Sequence, residues 1–199
     1  MKFIFIILLV LSSFSVSSKE KKILALGDSL TEGYGIRPNY SYPTQLEQKL
    51  KKSGKNYKVL NGGISGSTTA SGLSRLKWFL KAKPDIVIVA LGANDGLRGL
   101  DINESKKNLE KIIIHAKEKG LIVILAGMQM PPNYGAEYRD KFKSIFFELS
   151  KKHKLPMIPF LLEGIAGNKK LNIEDGIHPN KEGYKVMVEN VYKVLKEHL

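Results

Sequence analysis

The chain has 199 residues and carries 32 Lys and Arg against 19 Asp and Glu, a formal charge of +13. It has no cysteine, which excludes disulfides, thiolate zinc sites, a cysteine nucleophile and a lipidated cysteine. The charge raises a nucleic-acid reading, but Lys49, Lys51, Lys52, Lys106, Lys107, Lys111, Lys117, Lys119, Lys151 and Lys152 are spread over stretches of helical periodicity. No zinc finger, aromatic RNA-binding signature or basic arm accompanies them. They read as solvated faces, and no nucleic-acid partner is expected. A weak attraction to anionic membrane surfaces is compatible with the charge.

In chain order, Lys2 precedes an apolar run over residues 3–11 and small or polar residues over 12–18. That is the three-part pattern of a secretory signal peptide. The run is short of the roughly 20 residues that span a bilayer. Residues 1–18 are expected to be a leader, cut near Ser15-Val16-Ser17 or one residue later, with an uncut anchor as the alternative. The product would then be periplasmic or secreted. Residues 19–199 are expected to form one domain, a length that suits a full-sized core. They contain no internal repeat, low-complexity block or linker.

Residues 22–26 predict a buried strand and residues 43–52 a helix, with Pro43 suited to its first turn. A strand follows at 57–60 and a helix at 69–81, with Leu73, Leu76, Trp78 and Leu80 among its apolar positions. Residues 85–91 are apolar enough for a strand buried on both faces. The spacing of Leu109, Ile112, Ile113 and Ala116 predicts a helix over 103–119, with Asn103 as its cap and Gly120 as its stop. A strand at 121–126, a helix at 137–152, a proline-bearing strand at 155–160 and a closing helix at 181–197 complete the series. Alternation of this kind implies a five-stranded parallel sheet between two helical layers, a three-layer α/β/α sandwich. Such sheets carry their sites beyond the carboxyl ends of the strands.

The polar motifs obey that rule. The first strand runs into Gly27-Asp28-Ser29-Leu30, the second into a glycine-rich stretch holding Gly63 and Gly66, and the third into Gly92-Ala93-Asn94-Asp95. Asp175-Gly176-Ile177-His178 lies in the loop before the closing helix. A serine hydroxyl is a weak nucleophile until a base takes its proton, and an imidazole does this near neutral pH. The imidazole in turn needs a carboxylate to fix its tautomer. Asp175, three residues before His178, can supply it within one turn. An oxyanion needs preorganised donors, and glycine N–H groups and an Asn amide provide them. His115, His153 and His198 have no acid in a comparable loop and read as surface or packing. The α/β-hydrolase elbow, a P-loop and a zinc-protease motif are all absent from the sequence.

Ser29 in Gly-Asp-Ser-Leu, Gly66 in Ile-Ser-Gly, Asn94 in Gly-Ala-Asn-Asp and His178 in Asp-Gly-Ile-His together resemble the four blocks of the SGNH (GDSL-type) hydrolases. Residues 92–99 and 132–135 resemble the bacterial thioesterase I, arylesterase and lysophospholipase branch. The resemblance implies a flavodoxin-like sheet and a Ser29-His178-Asp175 triad. It implies oxyanion donors at the Ser29 and Gly66 N–H groups and the Asn94 side chain, with Gly63 competing for the Gly66 role. It implies neither metal nor organic cofactor, and a substrate that is an acyl ester, thioester or lysophospholipid. Leu97 would open a mobile loop beside the acyl groove, and Met130, Pro132 and Tyr134 would line that groove. A monomer is expected. A carbohydrate O-deacetylase on the same fold is the nearest rival, and a non-catalytic surface-binding protein is a more distant one.

Overall fold

The computed structural model describes residues 20–199. The expected leader lies outside the described residues. Strands β1 (Lys21–Gly27), β2 (Tyr57–Gly63), β3 (Ile86–Ala90), β4 (Ile122–Ala126) and β5 (Met157–Ile158) pair in parallel, in the order β2-β1-β3-β4-β5. Ile23 to Leu26 and all of β3 are buried, as strands covered on both faces must be.

The helices are α1 (Ser29–Glu32), α2 (Tyr42–Lys52), α3 (Gly72–Phe79), α4 (Ala93–Leu97), α5 (Ile102–Glu118), α6 (Ala136–His153) and α7 (Lys181–Leu195). From β1 the chain first crosses to β2 through α2, then back over to β3 through α3. Right-handed crossovers in opposite directions put those two helices on opposite faces. Helix α7 packs beside α2, while α3, α5 and α6 pack in sequence on the other side. The switch point of the sheet therefore lies between β1 and β3, where such folds open a crevice. Some surface lysines pair with carboxylates of the neighbouring helix, among them Lys49 with Glu189, Lys106 with Glu148 and Lys152 with Glu110. Among the described residues no helix is long and apolar enough to cross a membrane.

Several elements differ from the expected bounds, each for a local reason. Strand β5 is two residues rather than six, because Pro156 and Pro159 flank it and lack N–H donors. Strand β2 runs on through Asn61-Gly62-Gly63, which stay in register with Ala25-Leu26-Gly27. The expected 69–81 helix is divided into a 3-10 turn (Thr69–Ser71), α3 and a second 3-10 turn (Leu80–Ala82). Trp78 on it is 63% exposed rather than packed. Asp101, not Asn103, caps α5: its carboxylate accepts the Asn103 N–H at 2.7 Å. The single-turn helices α1 and α4 fall in segments that read as loops.

Helix α4 is fixed from beneath by Asp95, which is 3% exposed. Its two carboxylate oxygens accept the Thr69 N–H at 2.9 Å, the Thr69 hydroxyl at 2.6 Å and the Ser105 hydroxyl at 3.2 Å. Three segments are thereby tied under one turn. Replacing Asp95 with Ala strands the two buried Thr69 donors, whereas the Ser105 hydroxyl keeps the Asp101 carbonyl at 3.0 Å, and the expected loss is about 3 kcal/mol of unfolding free energy. A urea midpoint equal to that of the parent protein would show that the donors find other partners.

Candidate active site

The Ser29 position is built by the end of β1. The Asp28 carboxylate accepts the Leu30 N–H at 3.0 Å and so caps α1, leaving Ser29 as the first helical residue at the switch point. The histidine comes from the loop before α7. There Asp175 Oδ1 accepts the N–H groups of Ile177 and His178, both at 3.0 Å, and the Ile173 N–H donates to the His178 carbonyl at 2.9 Å. This tight turn aims both side chains. Asp175 Oδ2 lies 2.6 Å from His178 Nδ1, and His178 Nε2 lies 2.8 Å from Ser29 Oγ. The Tyr34 ring packs against the imidazole with centroids 4.7 Å apart. Burial alone would push the Asp175 carboxyl up. The two N–H groups and the imidazole outweigh it and hold the group below its ordinary value.

The two competing glycines take different parts. Gly63 ends β2 against α1, where an added Cβ would stand 2.1 Å from the Glu32 backbone nitrogen. Its N–H donates to Asn61 Oδ1 at 2.9 Å. Gly63 is thus a close-packing residue. Gly66, at a φ of +76°, borders the cavity beside Ser29. No hydrogen bond among the described residues takes up the backbone N–H of Ser29 or of Gly66. Asn94 is not a helix cap, since it lies inside α4 behind Gly92. One of its amide hydrogens goes to the Ser67 carbonyl at 3.0 Å, which aims the side chain at the cavity and leaves the other hydrogen over.

The cavity has a volume of about 590 Å³. Ser29, His178, Gly66 and Asn94 stand at its polar end, and the rest of its wall is largely apolar. Leu97, Met130 and Pro132 line it. Tyr134 does not: its hydroxyl donates to the Leu97 carbonyl at 2.8 Å and its ring stacks on Tyr138, so it braces the turn behind the wall. That turn, where the resemblance implies a mobile loop, is hydrogen-bonded through Arg98, Gly99 and Leu100 to the carbonyls of Asn94, Gly96 and Asp95 at 3.0–3.1 Å. The reading from sequence missed Tyr34, Met128, Phe160 and Leu162. Their only signal is apolarity, which core residues share. His153 is occupied elsewhere, 2.6 Å from Glu110 between α6 and α5. Among the described residues no cluster of three or more His, Cys, Asp or Glu offers a metal site.

Beneath Ser29 lies an electrostatic cost. Asp28 is 1% exposed, and its Oδ2 has no hydrogen-bond partner among the described residues. Burial pushes its carboxyl up to about 6, although the Leu30 N–H and the nearby charges of His178 and Arg75 pull the other way. Arg75 reaches under the sheet from α3, donating to the Gly27 carbonyl at 2.8 Å and to the Gly62 carbonyl.

A parallel sheet with a switch point next to β1, a hydroxyl-imidazole-carboxylate line at that point and an apolar cavity opening from it define a serine esterase of the three-layer α/β class. The comparisons with known proteins place it further. The GDSL-like lipase/acylhydrolase profile matches residues 25–186, and the chain belongs to that family. It is 38% identical over 186 residues to an arylesterase of Vibrio mimicus, covering 93% of each chain. It is 33% identical over 189 residues to thioesterase 1/protease 1/lysophospholipase L1 of Escherichia coli K12, covering 94% of this chain and 89% of that one. A crystal structure of TesA superposes with a TM-score of 0.87 at 36% identity, covering 90% of this chain and 100% of that one.

The buried Asp28 carries a pH signature. Its carboxyl ionises near 3.8 when unfolded and near 6 in the fold. Between those values the native state holds a proton that the unfolded chain has lost, so stability falls as pH rises through the window. Asp28→Asn keeps the capping acceptor and removes the charge. At pH 8 it should raise unfolding free energy by about 1–3 kcal/mol, and the gain should shrink towards zero below the unfolded value. Denaturant melts of both proteins across this pH range check the sign.

Proposed function

We propose that the chain hydrolyses carboxylic esters or thioesters of fatty acyl groups through an acyl-enzyme on Ser29. The observation that carries this reading is the unbroken Asp175-His178-Ser29 line opening into an apolar cavity. His178 takes the Ser29 proton as Oγ attacks the carbonyl carbon. Asp175 holds the imidazole and steadies its positive form. The oxyanion is received by the N–H groups of Ser29 and Gly66 and by the Asn94 amide. His178 then protonates the departing alcohol or thiol, and water repeats the sequence on the acyl-serine. The arylesterase and thioesterase/lysophospholipase names of the relatives support this substrate range. An acetyl group would leave most of the apolar wall unfilled, which weighs against a deacetylase.

Residues 1–18 form the export leader in this reading, and the enzyme works in the periplasm or outside the cell. N-terminal sequencing of the exported protein should find a new end near Ser18, and an intact Met1 would mean a retained anchor. The basic surface allows only weak attraction to anionic membranes.

Ser29→Ala and His178→Ala should each abolish ester turnover, and the double variant should be little worse, because the groups act as a unit. Asn94→Ala should lower kcat by about 10²–10³ with a smaller change in KM, as loss of one oxyanion donor does. Steady-state kinetics on acyl thioesters and p-nitrophenyl esters check all of these. Near-normal turnover by folded Ser29→Ala protein would end the assignment.

A further inference from the structure

Ser29 and Gly66 reach the site from different strands, and one side chain joins their two segments. Glu32 closes α1, three residues after Ser29. Its Oε2 accepts the Ser65 N–H at 2.6 Å and also the Ser65 hydroxyl. The peptide that bears the Gly66 N–H follows directly. On its far side Arg98 Nη2 donates to the Gly66 carbonyl at 3.0 Å. In that same peptide the Ser67 N–H donates to the Ile64 carbonyl at 3.1 Å, and one peptide further the Asn94 amide donates to the Ser67 carbonyl at 3.0 Å. The peptides on either side of the Gly66 N–H are therefore both held. The middle one sits at a glycine, which on its own is free to rotate.

We infer that Glu32 is a positioning residue: its carboxylate sets the Gly66 N–H against Ser29 Oγ by tying the nucleophile helix to Ser65. The inference rests on the reading of Gly66 as an oxyanion donor. A carboxylate suits the task because one oxygen accepts both Ser65 donors, and bonds to an ionised acceptor are stronger than neutral ones. The tolerance is tight. Reacting groups must be held within about 0.5 Å, and a shift of about 1 Å can cost on the order of 10²-fold in rate. Glu32 touches no reacting atom, so its loss should appear in kcat rather than KM.

The test is ester hydrolysis by the full chain and by Glu32→Ala, Glu32→Gln, Ser65→Ala and Ser29→Ala, with fluorophosphonate labelling of each preparation. Glu32→Ala should lose about 10- to 100-fold in kcat with KM nearly unchanged, and its labelling rate constant should fall in parallel. Glu32→Gln, which keeps an acceptor, should recover most of that loss. Ser65→Ala, which keeps the backbone bond, should lose only a few-fold. Damage to the fold alone would lower the fraction of molecules labelled at saturation and leave the rate constant of that fraction unchanged. That outcome, or parental kcat in Glu32→Ala, overturns the inference. Turnover by Ser29→Ala would instead overturn the reading of the site on which it rests.

Discussion

The geometry of the site depends on β1 pairing in parallel with β2 on one side and β3 on the other. A parallel register lines up carboxyl ends, so Gly27 stands opposite Gly63 and also opposite Ala90. The three segments that leave those ends carry Ser29, Gly66 and Asn94. Their spacing is fixed by a ladder of backbone hydrogen bonds before any side chain acts. What the side chains add is local aim: Asp28 starts the helix turn under Ser29, Asp95 holds the turn under Asn94, and Arg75 bonds the Gly27 and Gly62 carbonyls near the ends of two strands.

The histidine is supplied differently. It arrives on a loop rather than a strand end, and its aim comes from bonds within the turn, with Asp175 accepting two backbone N–H groups as well as the imidazole. One carboxylate thereby shapes the loop and orients the imidazole. Asp28 plays a less favourable part. It caps α1 at the expense of a buried, half-satisfied carboxyl, which lowers local stability.

The parts legible in the sequence were those with a strong pattern or a distinctive chemical type. Continuous apolar runs revealed β1, β3 and β4, and the helical spacing of Leu109, Ile112, Ile113 and Ala116 revealed α5. Ser29, Asn94, Asp175 and His178 stood out because polar groups clustered after apolar strands have few other reasons to be there. The single turns α1 and α4 were hidden, since four or five residues show no periodicity. Asp101 hid behind Asn103, both being good capping types two residues apart. The cavity wall was hardest to read. Tyr134 looked like a lining residue and braces a turn, whereas Phe160 and Leu162 looked like core and line the cavity. Glu32 and Arg75 gave no signal, because Arg75 bonds backbone carbonyls and Glu32 bonds a serine 33 residues away, positions that only the fold determines.

The hydrogen bond between Ser29 and His178 spans 149 positions in the chain. Ser29 follows the first strand of the sheet, and His178 stands just before the last helix, α7. Closing so long a loop costs entropy, which the parallel pairing of the intervening strands offsets. The pairing is therefore a property of the assembled sheet, and neither the β1 end nor the loop before α7 carries it alone.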